Sequence, residues 1–117
     1  MFTMTTNDVP GYRITQVLGE VMGLTVRASS FGQNFTAGFR SMGGGEIPEY
    51  SRVLYESRME ATNRMWDEAV RRGANAVIAM RYDTSSIQTF FEICAYGTAV
   101  VIEPLDPHGA PAPTASA

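Results

Sequence analysis

The chain of 117 residues has no lysine, so all 9 of its basic side chains are arginines. It has 1 cysteine, 1 histidine and 1 tryptophan. A single cysteine cannot close a disulfide within the chain, so nothing ties the fold to an oxidising compartment. One histidine and one cysteine cannot supply the ligands of a closed zinc site from one copy. The same scarcity excludes Ser–His–Asp and Cys–His catalysis, because the only histidine, His108, falls in a Pro/Ala-rich terminal stretch. With 12 acidic residues against 9 basic ones, a formal charge of −3 and no basic cluster, nucleic acid is a poor partner. Long apolar runs are missing too. The longest, residues 76–80 and 99–102, fall far short of the roughly 20 residues that cross a bilayer. The opening MFTMTTNDVPGYR has no charged segment followed by an apolar one, and Cys94 lies in mid-chain, away from any lipidation pattern. The expectation is a cytoplasmic protein with no membrane partner.

What remains is an ordinary globular composition, 44% hydrophobic and 18% charged, in a length that suits one domain. A polar segment, residues 1–10, ends in the turn signal Pro10-Gly11. A domain is expected over residues 11–103, followed by a disordered Pro/Ala-rich tail, residues 104–117. Within the domain, residues 12–27 read as one long bent strand or two collinear ones, with Gly19 and Gly23 marking bulges or close backbone approach. Phe31, Phe35 and Phe39 recur every four residues and predict a short helix with one aromatic face, better suited to core or interface than to a ligand cage.

After Gly43-Gly44-Gly45 comes the strongest signal, a long helix from Pro48 to about Arg72. Tyr50, Leu54, Ser57, Ala61, Met65 and Ala69 form its buried stripe. Glu60→Arg64 and Glu68→Arg72 are i,i+4 pairs in the favourable order, and Gly73 supplies the stop. A short strand over residues 76–83, a turn at Thr84-Ser85-Ser86 and a second long strand over residues 88–103 complete the domain, with Gly97 at a bulge or close contact. The order is β-α-α-β-β. The fold class is α+β, a small antiparallel sheet of long bent strands packed on one long helix. Two features point to self-association. The long strands overhang their shorter partner, exposing backbone that proteins must cover. The last strand is also apolar on both faces, whereas one helix covers only one. A second copy is thus the expected partner.

Candidate sites are sparse. Arg40 with Gly43, Gly44 and Gly45 lies before a helix N-terminus, which favours anions, but the lysine and hydroxyl of a phosphate loop are absent. A plain connection between helices is the better reading. Glu56 and Glu60, one turn apart, have the spacing of an acid–base pair, but exposed glutamates at that spacing beside arginines are common. Trp66 and Tyr55 are more economically packing residues than a ring clamp. Cys94 reads first as a small buried hydrophobe and second as a metal ligand multiplied by symmetry.

The segments Leu18-Gly19-Glu20-Val21-Met22-Gly23, Phe35-Thr36-Ala37-Gly38-Phe39-Arg40, Gly73-Ala74-Asn75-Ala76-Val77 and Gly97-Thr98-Ala99-Val100, with Tyr50, together resemble the YbjQ-like family, which carries a heavy-metal-binding label. The resemblance spans residues 11–103. It implies a dodecin-like subunit in a ring, usually a pentamer, and implies no reaction. Relatives often carry an acidic-aliphatic pair where this chain has Ser41-Met42. Gly19, Gly23, Phe35, Phe39, Tyr82, Gly97 and Thr98 are the expected subunit-junction residues. The leading expectation is a non-enzymatic, ring-forming binding or scaffold module without a resident cofactor. The alternatives are a metal-binding protein with sites at subunit junctions and an enzyme with an intersubunit pocket.

Overall fold

A computed structural model of the chain describes residues 1–28, 48–87 and 89–106. The expected aromatic helix, Arg40, the three consecutive glycines and His108 lie outside the described residues. The strands are β1 (Phe2–Thr3), β2 (Tyr12–Ala28), β3 (Ala76–Ile87) and β4 (Phe90–Pro104), with one helix, α1 (Pro48–Arg71), between β2 and β3. They form one mixed sheet in the order β1-β3-β4-β2. β4 is antiparallel to both neighbours, and β1 runs parallel to β3. The 17 residues of β2 span roughly 56 Å at the usual rise of a strand.

The helix follows from its stripe. Ser57, Ala61, Met65 and Ala69 have no exposed surface and face the sheet, while Leu54 packs at the margin of the same core. Small residues at 57, 61 and 69 let the helix axis sit close to β2. Ser57 returns its hydroxyl to the Val53 carbonyl at 2.8 Å, so it enters the core satisfied. The helix ends at Gly73, whose φ of 88° is the left-handed stop that its sequence position implies.

Two expectations need correcting. The Thr84-Ser85-Ser86 turn is strand: Thr84 opposes Ile93, Ser85 opposes Glu92 and Ser86 opposes Phe91. Pairing with β4 overrides the turn preference of these residues, and the mismatch in strand length shrinks accordingly. The polar N-terminal segment also joins the sheet. Beyond β1, Met4 N–H donates to the Val77 carbonyl at 2.9 Å, and Met80 N–H returns a bond to the Met4 carbonyl at 3.0 Å.

This segment divides the two faces of the sheet. On the helix face, one core runs from Phe91 through Ile93, Ala95, Val21 and Met65 to Val77 and Ala99. On the opposite face, Val9 and Met4 from the N-terminal segment cover Ala76, Ile78, Val100 and Ile102. The second apolar face of β4 is therefore covered by the chain itself along its C-terminal half.

At the junction β3 carries a bulge. Its register against β4 shifts between Ile78 and Arg81, and Ala79 there adopts a left-handed φ of 52°. The Ala79 N–H is held by the Thr6 carbonyl at 2.8 Å.

Candidate functional site

Strand alternation places Met22, Leu24 and Val26 of β2 on the face away from the helix, beside Phe90, Cys94 and Tyr96 of β4. The N-terminal segment stops short of them. Val26 is 63% exposed, Phe90 52%, Met22 43%, Leu24 40% and Tyr96 36%. Five large apolar side chains on neighbouring strand positions make a contiguous patch, which in a soluble chain marks a contact surface. Among the described residues nothing covers it.

The predicted junction residues divide in two. Thr98 and Tyr82 are where a neighbour can reach them. Thr98 lies half-buried on the uncovered face, opposite Glu20. Tyr82 is on β3, where its hydroxyl lies 2.7 Å from the Thr62 hydroxyl and Arg58 stacks 5.0 Å from its ring centre. Gly23 and Gly97 make their close approaches inside the chain. A methyl group on Gly23 would run into the helix backbone at Ala61 and Met65, and one on Gly97 would lie 2.6 Å from Val77 Cγ1. Gly19 has a φ of 103° and sits at a bulge of β2, beside Arg72. Phe35 and Phe39 are outside the described residues.

Cys94 is half-buried on the uncovered face, with Asp83 directly across on β3 and Glu92 two positions along its own strand. Burial pushes its thiol up from the ordinary value, and the charges of Glu92, Asp83 and Glu20 push the same way. A thiol held protonated is a poor ligand for a soft metal. Among the described residues, no three His, Cys, Asp or Glu side chains come together to hold an ion. The donors of one copy do not fit a heavy-metal site.

Other sequence candidates have structural roles. Glu60 is held by Arg27 and Arg64, each at 2.6 Å, so it is not a free base. Trp66 is half-buried and donates from Nε1 to the Thr3 hydroxyl at 2.7 Å, fastening β1 to the helix. A shallow apolar hollow of about 620 Å³ lies at the opposite end of the sheet from the exposed patch, lined by Met1, Phe2, Tyr12, Asn75, Ile102 and Pro104. Both groups of the Asn75 side-chain amide are occupied by the backbone of Ile102.

Sequence reasoning missed one arrangement. Glu60, Arg64, Glu68 and Arg72 run along one side of α1 and reach the outer edge of β2. Arg64 donates to the Leu24 carbonyl, Arg72 to the Glu20 carbonyl at 2.9 Å, and Glu68 accepts from Met22 N–H at 3.4 Å. The helix thus occupies the backbone groups that an added strand would need. The signal was present as a four-residue alternation of charge, but it reads as ordinary surface ion pairs until the strand is placed beside it.

These features define an α+β chain with a helix on one face of a long sheet and an exposed apolar surface on the other. The family model described as "Putative heavy-metal-binding", that of the YbjQ family, matches residues 1–103, and the chain belongs to this family. It is 51% identical over 106 residues to a UPF0145 protein of Mycobacteroides abscessus, covering 90% of this chain and 99% of that one. A UPF0145 protein of Thermoplasma volcanium is 52% identical over 101 residues, covering 86% of this chain and 83% of the relative. A crystal structure of a DUF74-family protein from Pediococcus pentosaceus shares the fold, with a TM-score of 0.57 at 19% identity, covering 88% of this chain and 98% of that one. No helix of the described residues is long and apolar enough to cross a membrane.

Proposed function

We propose that the chain is a non-enzymatic, ring-forming homo-oligomer, a pentamer by resemblance, that acts as a binding or scaffold module. One observation carries the reading: the patch of Met22, Leu24, Val26, Phe90 and Tyr96 on a sheet face that the chain leaves uncovered among its described residues. A second copy buries such a surface at no cost in new sequence, and closed rings follow whenever the contact is head-to-tail. Native mass spectrometry tests it. The wild-type chain gives a discrete multimer, and Leu24→Asp, which places a carboxylate in the middle of the patch, dissociates it while the circular dichroism stays native. A monomer at micromolar concentration ends the reading.

The family description favours one second reading, a metal bound where copies meet. Symmetry would multiply Cys94, Asp83 and Glu92, whose donors do not suffice in one copy. Elemental analysis of the purified multimer decides it. Stoichiometric metal that disappears in Cys94→Ser displaces the scaffold reading, and a metal-free multimer removes the alternative.

A further inference from the structure

We propose that the open edge of β3, residues 82–86, pairs antiparallel with the same edge of a second copy, about a two-fold axis at Thr84. The proposal rests on the reading of the chain as self-assembling, but it uses a different surface from the apolar patch.

The two edges of the sheet are treated differently. At β2, Arg64, Glu68 and Arg72 engage the outward backbone groups of Leu24, Met22 and Glu20. At β3, the N-terminal segment takes the edge only as far as Met80, whose N–H bonds to the Met4 carbonyl. Met80 therefore faces outward, and by strand alternation so do Tyr82, Thr84 and Ser86. Among the described residues no hydrogen bond reaches the backbone of these three. Residues 81–86 are all exposed. The stretch contains no proline, lysine or bulge, the devices that normally close an edge.

The occupant follows from the register. With Thr84 on the axis, Thr84 faces the partner's Thr84, and Tyr82 faces the partner's Ser86. All three outward residues of each copy are then used, giving roughly six backbone hydrogen bonds at two per bonded pair. Centring the axis on Tyr82 would set Thr84 against Met80, which Met4 already holds. Centring it on Ser86 carries the pairing past the end of β3 at Ile87. At the Thr84 register Asp83 faces the partner's Ser85, so no like charges meet directly, and a threonine pair is a favoured cross-strand match. The segment is its own complement, which a foreign strand would have to match by chance. The result is one continuous sheet across two copies.

Each copy has one such edge, so every closed assembly built with it holds an even number of copies. Native mass spectrometry of the full chain should show an even count. Thr84→Lys sets two ammonium groups face to face on the axis and should halve the mass while leaving the circular dichroism native. Thr84→Cys in a Cys94→Ser background should form a covalent dimer under a mild oxidant. The Cα separation of a bonded antiparallel pair, about 5.5 Å, lies within the range for a disulfide. Asn63→Cys in the same background, on the exposed side of the helix, should not cross-link.

An odd-numbered ring that Thr84→Lys leaves intact overturns the edge pairing and leaves the ring reading standing. An even assembly that Thr84→Lys halves but Leu24→Asp does not touch supports the edge and overturns the role of the apolar patch. A monomer overturns both, as does a monomer carrying a foreign peptide on this edge. Failure of Thr84→Cys to cross-link an even assembly overturns the register.

Discussion

Replacing Gly23 by alanine adds one methyl group where the structure has no room for it. The new carbon would collide with the Ala61 carbonyl oxygen and the Met65 nitrogen, and would lie 2.8 Å from Arg64 Cβ. Two of these three neighbours are helix backbone, which cannot rotate out of the way. The helix must lift from β2, and that strains the packing of Ala61 and Met65, both without exposed surface. Overpacking a core typically costs about 1–3 kcal/mol. With backbone on the far side of the clash the expected loss is at the top of that range, about 3 kcal/mol. At about 4–8 °C per kcal/mol for a domain of this size, the midpoint should fall by about 12–24 °C. The assay is thermal and urea unfolding at fixed protein concentration, because self-association makes stability concentration-dependent. Gly97→Ala is the internal contrast. Its nearest obstacle is the Val77 side chain at 2.6 Å, with the Ile78 carbonyl behind it at 3.0 Å. Val77→Ala should therefore recover part of the Gly97→Ala loss, whereas no side-chain truncation should rescue Gly23→Ala. A Gly23→Ala loss below about 1 kcal/mol, or its rescue by Val77→Ala, would refute the packing argument.

Three further outcomes follow from the same structure. Ala79→Gly relieves the left-handed φ of 52° and should change stability by less than about 1 kcal/mol, whereas Ala79→Val should cost about 1–3 kcal/mol, both read by urea unfolding. Cys94 should react with a thiol reagent near pH 8 more slowly than a free thiol, and Asp83→Asn or Glu92→Gln should speed it, because each removes a charge that holds the proton on sulfur. The linkage has a fixed sign: a thiol raised in the folded state contributes stability below its unfolded value, and that stability is lost as pH rises through the folded value, so Cys94→Ser should flatten the alkaline limb of the stability curve. Arg64→Ala with Arg72→Ala exposes the Leu24 and Glu20 carbonyls at the edge of β2 and should raise aggregation in light scattering while changing the unfolding midpoint little, since both side chains are largely solvated.

The helix was legible because its signals agree. A stripe of Ser57, Ala61, Met65 and Ala69, a proline at the start and Gly73 at the end all name the same element, and each keeps that role in the structure. β2 and β4 were legible as long strands for the same reason. Thr84–Ser86 was misread because serine and threonine favour turns locally, and only the non-local register with Phe91, Glu92 and Ile93 makes them strand. The N-terminal segment was misread because its contribution is backbone pairing with Val77, Ala79 and Met80, which leaves no periodicity in a polar stretch. The doubly apolar character of β4 was read correctly, but its explanation is divided. Val100 and Ile102 are covered by Met4 and Val9 of the same chain, and only the stretch from Phe90 to Tyr96 leaves its second face open.

That division bears on why the chain is built so long. A sheet of this length under a single helix has two edges and a second face to protect, and each is handled by a different device. The N-terminal segment covers half of the second face and half of one edge. The charged row of the helix closes the other edge. What remains is confined to one end of the sheet: the apolar patch around Leu24 and the bare backbone of residues 82–86. Unprotected face and unprotected edge coincide there, on strands held in register by β4 between them. Random omission would scatter such surfaces along the sheet. Their concentration at one end, with closure everywhere else, is what a chain completed by copies of itself requires.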